Sequence, residues 1–349
     1  MAKKDLPPRM LKRVRTLKSG KRWIGYYYDG RDEFGKRKEY PLGTDLAEAR
    51  LKWAEMEGIK IEPNIKTMGF IFDRYEREII PTKKPRTQKD NLAELKQLRK
   101  VLDTAPIDAI TPHVIAQYRD ARTAKTRGNR EIALLSHVFN IAREWGYTEK
   151  ENPCTGVRRN KEVARDFYAR QEVWDAVYEA AVAELKQAML LAYLTGQRPA
   201  DVLKFRVSDA TEEYLLLSQN KTSKKIRIKL FNNNGTPSQL AQLLREIKVQ
   251  RKLTQSEFLL CNNEGLRLSQ HMLRYRWDEA RSKAANTAKK NKLFELAHEI
   301  EQFQFRDIRP KAASEIEDLT EASKLLGHSN EQITQTVYRR VGEVVSPTK

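Results

Sequence analysis

Cysteine and histidine are scarce in this 349-residue chain, which carries only Cys154, Cys261 and five histidines. The two thiols lie far apart in sequence, which favours free cysteines in a reducing cytosol over a disulfide framework. No Cys or His grouping has metal-ligand spacing, and no Gly-rich phosphate loop occurs, so neither a metal nor a nucleotide cofactor is expected. The N-terminus MAKKDLPPRM has no apolar signal region, and apolar runs such as Ala188–Leu194 are far too short to span a bilayer. No sustained basic amphipathic helix with an aromatic face marks a membrane surface.

Positive charge is abundant. Lys and Arg number 66 against 47 acidic residues, a net charge of +19, which implies a polyanionic partner and points to nucleic acid. The first 40 residues hold 13 Lys or Arg and 5 acids, a net of +8. Within this basic segment, Arg22–Asp29 is aromatic and β-prone, Gly30–Gly35 reads as a turn, and Lys36–Leu42 as a second strand. A third strand can precede Gly20. Thr44 is expected to cap a helix over Asp45–Glu57 with Leu46, Ala49 and Trp53 inward. Basic residues interleaved with Trp23, Tyr26, Tyr27 and Tyr28 suit binding in a DNA groove.

Pro63–Asn64 marks a boundary. Helices are predicted over Thr67–Ile80, Thr87–Leu102, Pro112–Arg122 and Thr126–Trp145, the last with Ile132, Leu135, Val138, Phe139 and Ala142 on one stripe. Residues 156–168 read as a polar, basic linker. Beyond it, helices near Gln171–Ala183 and Glu184–Leu194 precede strands at Tyr214–Ser218 and Lys225–Leu230. Further helices follow near Pro237–Val249, Ser269–Thr287, Ile308–Glu317, Thr320–Leu326 and Asn330–Val341. The chain thus reads as mostly α with small β-sheets.

Four stretches of the last region share a chemical theme. In LTGQRPADVL, Pro199 suits a first helical turn and places Arg198 at a helix N-terminus, where a guanidinium and free amides can face one phosphate. In QNKTSKK, Lys221 lies near a hairpin tip. In FRDIRPKAA, Arg306 and Arg309 share a face if the helix starts at Asp307. In LLGHSNEQITQTVYRR, Gly327 ends one helix, and Ser329 with Gln332 forms a capping box for the next. His328 then occupies the corner between them. Ile333, Val337 and Val341 form the expected buried stripe, with Thr334 and Tyr338 turned off it.

In this order, TGQR-x-x-D, K-T after a strand, D-I-R, L-G-H and T-x-x-x-Y resemble the boxes of the tyrosine recombinase family, of the lambda phage integrase type. The resemblance implies an arm-binding domain over 1–62, a helical core-binding domain over 65–155, a linker over 156–168 and a mixed α/β catalytic domain with a C-terminal tail over 169–349. It implies that Tyr338 attacks a DNA phosphate to form a 3′-phosphotyrosyl link. Because that bond conserves the phosphodiester energy, rejoining needs no ATP or metal. A phenol is a weak acid and needs local activation. Arg198 and Arg309 would clamp the phosphate, Lys221 would protonate the 5′-oxygen, His328 would hydrogen-bond the phosphate, and Asp201 would orient. Arg306 departs from the family, which usually has His there. A third phosphate clamp beside Arg309 is the leading role, with His298 in a loop as an alternative source of imidazole. The resemblance further implies double-stranded DNA with core and arm sites as substrate, a homotetramer on DNA, and partners such as a DNA-bending protein and an excisionase. A chromosome-resolving recombinase, a type IB topoisomerase and a non-catalytic DNA-binding regulator are the alternatives.

Overall fold

The computed structural model describes residues 6–17, 22–57 and 66–341, in two compact units, Met1–Val163 and Ala164–Lys349. The boundary expected at Pro63–Asn64 and the tail expected beyond Val341 lie outside the described residues.

The first unit opens with an antiparallel sheet, β1 (Met10–Thr16), β2 (Arg22–Arg31) and β3 (Arg37–Gly43), in that order. The β1–β2 register pairs Arg15 with Trp23 and Met10 with Tyr28, so alternate residues share a face. Tyr26 and Tyr28 turn inward and pack with Met10, Leu42 and Ala49 of α1 (Leu46–Met56). They are core residues, and of the four interleaved aromatics Trp23 and Tyr27 are the half-buried pair on the opposite face. The Trp23 ring lies over Gly25, where an added Cβ would come within 2.3 Å of it. Asp45 rather than Thr44 accepts the first-turn N–H, from Glu48 at 3.0 Å.

Four further helices follow: α2 (Met68–Glu78), α3 (Pro85–Leu102), α4 (Pro112–Ala121) and α5 (Lys125–Glu144). Thr67 and Thr111 cap α2 and α4 by accepting from Phe70 and Val114 N–H. The predicted α5 stripe is fully buried, and Leu135→Ala there should cost about 2–5 kcal/mol. Burial pushes the Cys154 thiol up to about 12, consistent with an inert core residue.

The second unit comprises α6 (Gln171–Ala180), α7 (Ala183–Thr195), α8 (Pro199–Val202), the hairpin β4 (Tyr214–Ser218) and β5 (Lys225–Lys229), α9 (Gln239–Thr254), α10 (Gln270–Lys290), α11 (Phe294–Gln302), α12 (Ile308–Ser314), α13 (Leu319–Leu326) and α14 (Glu331–Ile333). Its core joins α6, α7, α9, α10 and α11 around Trp277, Phe205 and Phe303. The α11 helix replaces the loop expected around His298.

The C-terminal segment departs most from expectation. The sequence predicts a helix through Val341; instead α14 passes into a π-helical turn, Thr334–Tyr338, closed by Arg339 N–H to the Thr334 carbonyl at 2.8 Å. Asn330, not Ser329, caps it, accepting from Gln332 N–H. The faces are exchanged: Thr334 is buried, whereas Ile333, Val337 and Val341 are exposed. The hydrogen bonds and ring contacts that Thr334 and Tyr338 make inward outweigh the apolar periodicity.

Candidate active site

Arg309 stands at the centre, 3% exposed in the first turn of α12. A buried guanidinium needs acceptors. Its Nη1 donates to the Gly196 carbonyl at 2.6 Å, and its Nη2 to the Leu326 carbonyl at 2.8 Å and to His328 Nε2 at 3.0 Å. Both carbonyls belong to helix ends closed by left-handed glycines: Gly196 (φ 61°) after α7 and Gly327 (φ 71°) after α13. At Gly327 a side chain is excluded twice over, since a Cβ would also meet Gln219 Nε2 and Ile226 Cδ1 at 2.8 Å. Burial, then the nearby Arg198 charge, brings the Arg309 pKa down to about 10, still cationic at neutral pH.

His328 follows Gly327, as expected. A guanidinium can only donate, so His328 Nε2 accepts from Arg309, and Nδ1 carries the proton to Thr334 Oγ1 at 2.7 Å. Burial, then the charges of Arg309, Arg198 and Lys224, takes its pKa down to about 4, so the ring is neutral near pH 7. The Tyr338 ring packs 4.7 Å from the His328 ring and 5.0 Å from the Arg309 guanidinium carbon. The segment is tied down at Tyr338 and just beyond it. Ser314 Oγ donates to the Tyr338 carbonyl at 3.3 Å, and Arg340 Nη1 reaches buried Asp307 at 3.1 Å. Asp307 also accepts from Arg165 at 2.7 Å, so its charge is spent on structure rather than on Arg309.

Arg198 forms the N-cap position of α8, extended before Pro199 as its sequence requires. Two buried donors, Arg198 Nη1 and Arg309 Nε, have no hydrogen-bond partner among the described residues. Such orphaned cationic donors are what a phosphate oxygen would satisfy.

Arg306 does not pair with Arg309. A 3-10 turn over Phe305–Asp307 precedes the α-helix, which sends Arg309 inward and leaves Arg306 exposed. Arg306 instead lines a cavity of 640 Å³ together with Arg198, Arg274 and Arg281. His298 sits exposed on α11, bonded to Gln302 at 2.7 Å, and supplies no imidazole to the cluster.

Lys221 occupies the β4–β5 turn, exposed and without a hydrogen bond or ion pair among the described residues. The turn itself is held firmly. Buried Asp201 accepts from Asn220 N–H at 2.8 Å, and Lys204 donates to Asn220 Oδ1 at 2.9 Å. Asp201 therefore joins the Arg198 helix to the Lys221 turn. Sequence reasoning missed Gln197, Gln219, Asp307 and Arg340; QR before Pro199 and RR after Tyr338 gave no signal that separates them from surface residues. Among the described residues no group of three His, Cys, Asp or Glu could hold a metal, and no helix is long and apolar enough to cross a membrane.

A model of the phage integrase family matches residues 167–343, and one of the phage integrase N-terminal domain matches 81–161. The chain is 30% identical over 249 residues to the integrases of Enterobacteria phage 434 and Escherichia phage lambda, covering 65% of this chain. It spans 66% of the length of each of those relatives. A lambda integrase dimer solved on a COC′ core site superposes with a TM-score of 0.65 at 21% identity, covering 100% of this chain and 99% of that one.

Proposed function

The chain belongs to the phage integrase family, tyrosine recombinases of the lambda type, and from that premise we propose that it cleaves and rejoins double-stranded DNA at specific sites through Tyr338. The observation that carries the reading is the meeting of Tyr338 with Arg309 and His328, beside two buried guanidinium donors that lack acceptors among the described residues.

The Tyr338 hydroxyl attacks the scissile phosphorus; the P–O5′ bond breaks, leaving a 3′-phosphotyrosyl link and a 5′-hydroxyl. Arg198 and Arg309 hold the non-bridging oxygens, and their fixed positive charge stabilises the pentavalent transition state. Arg309 against the Tyr338 ring also favours the negative charge that develops as the phenol loses its proton to solvent. Lys221 gives a proton to the departing 5′-oxygen. When a phosphate enters, Arg309 Nη2 turns from His328 to an oxygen, and a change of tautomer lets His328 Nε2 donate as well. Arg306, sharing its cavity with Arg198, acts as a further phosphate contact.

The division of labour follows the same reading: 1–62 binds arm sites, 65–155 core sites, 156–168 links, and 169–349 carries the chemistry. Recombination proceeds in a homotetramer on DNA in the cytoplasm, with a DNA-bending protein and an excisionase as partners. The test is a suicide core-site DNA in excess EDTA without nucleotide. A denaturant-resistant adduct whose modified peptide contains Tyr338 is expected; cleavage lost on chelation and restored by Mg²⁺ would contradict it.

A further inference from the structure

Two buried glutamines in the second unit have no part in the chemistry described above. Gln197 and Gln219 are each 1% exposed. Gln219 Nε2 donates to Gln197 Oε1 at 2.8 Å and to the Leu326 carbonyl at 2.8 Å. Its Oε1 accepts from Thr222 Oγ1 at 2.7 Å. Gln197 Nε2 donates in turn to the carbonyls of Thr195 and Leu325, both at 2.8 Å. Every polar atom of the two amides except one lone pair here and there is engaged, an arrangement that fixes both side chains.

The Leu326 carbonyl is the shared point, because it also accepts Arg309 Nη2 at 2.8 Å. Gln219 closes the Lys221 turn through its backbone too, donating to Lys224 O at 2.9 Å and accepting from Ser223 N–H at 2.8 Å. One amide thus touches the frame that holds Arg309 and the turn that carries Lys221. On the same side Lys224 Nζ donates to the His328 carbonyl at 3.1 Å, a flexible and exposed second tie, whereas Gln219 is buried; Asp201 and Lys204 restrain the turn from the α8 side, through Asn220.

Resting on the cleavage reading above, we infer that Gln219, braced by Gln197 and Thr222, is a positioning residue that sets the Lys221 turn against the Arg309 frame. Its role is to deliver the Lys221 proton to the 5′-oxygen in step with phosphate capture. Among the described residues Lys221 makes no hydrogen bond or ion pair of its own, so its placement is inherited from this turn. A misplacement of about 1 Å in such a proton donor costs on the order of 10²-fold in rate.

The test compares single-turnover cleavage of two suicide DNAs, one with the ordinary 5′-oxygen and one with a 5′-bridging sulfur. A thiolate leaves without protonation, so only defects in proton delivery vanish on the sulfur DNA. Gln219→Met should slow the oxygen DNA about 30-fold and the sulfur DNA less than about threefold. Lys221→Ala should show the same selectivity, larger. Thr222→Val, at an exposed position that spares the core, should show it more weakly, and Thr222→Ser should restore the wild-type ratio. Equal slowing of both DNAs by Gln219→Met and Thr222→Val, or no slowing by Thr222→Val, would overturn the positioning role. If Lys221→Ala itself slows both equally while Tyr338→Phe forms no adduct, the acid assignment falls and this inference with it, yet the nucleophile stands. An adduct from Tyr338→Phe would instead remove the cleavage reading.

Discussion

In the N-terminal sheet Lys12, Arg15, Arg22, Lys36 and Lys38 are exposed, and the ion pairs there, such as Arg37 with Asp29 at 2.6 Å, sit on the surface. In the second unit Arg309 is 3% exposed and bonded to two carbonyls and an imidazole. Exposed charges keep their hydration, contribute little to stability individually, and attract DNA in a way that salt screens. A buried guanidinium has lost its water and depends on fixed acceptors, so each partner matters and its field acts at full strength on whatever enters. On the proposed function, the same residue type serves additive attraction in one region and fixed transition-state geometry in the other. Substitutions should behave accordingly.

The largest effect is expected at the buried end. Arg309→Ala should slow cleavage by about 10²–10³-fold in single-turnover assays and lower the melting temperature, since it strips donors from three acceptors. A mild loss with unchanged stability would erase the contrast. Arg306, exposed yet in one cavity with Arg198, should fall between the two regions. Arg306→Ala should cost about tenfold, roughly 1.4 kcal/mol, with Arg306→Lys partly active and His298→Ala close to wild type. A silent Arg306→Ala would leave that side chain to solvent. At the exposed end, removal of residues 1–62 should leave core-site cleavage intact and abolish a second DNA-binding activity. Neutralising sheet Lys or Arg should flatten the log–log salt dependence by about 0.9 per lost phosphate contact; an unchanged slope and footprint would make the sheet a protein-binding module.

The smallest effect is on stability. His328 binds fewer protons folded than unfolded because its folded pKa, about 4, lies below the ordinary histidine value. Its contribution is therefore present above about pH 6.5 and lost as pH falls through about 4. His328→Gln should flatten the dependence of the urea midpoint on pH across that window. An unaltered slope would mean that the imidazole is not held neutral.

How much of this was legible in the sequence depended on what set each feature. The bundle helices were readable because Thr67, Thr111 and Pro112 mark their starts and the α5 stripe is purely apolar. The β4–β5 hairpin was readable for the same local reasons, as was the corner that places His328. The C-terminal face was not: Thr334 and Tyr338 are drawn inward by His328 and Arg309, partners distant in sequence, and a π turn changes the winding. Arg309 and Arg306, three residues apart, point to different environments because a 3-10 turn intervenes, which periodicity assuming one helix does not register. The burial of Tyr26 and Tyr28 is not readable either, because adjacent aromatics do not reveal which face a helix will cover. The motif residues were found by their types and order; the buried amides and carboxylates that hold them, Gln197, Gln219 and Asp307, look polar and unremarkable until the fold closes over them.

Tyr338 packs against both Arg309 and His328. The most direct measurement is covalent trapping by Tyr338→Phe on suicide core-site DNA, with binding followed in parallel. Phe keeps the ring that packs on His328 and removes only the hydroxyl, so binding should match wild type while the denaturant-resistant adduct disappears. An adduct that persists in the Phe variant would place the nucleophile elsewhere and contradict the account.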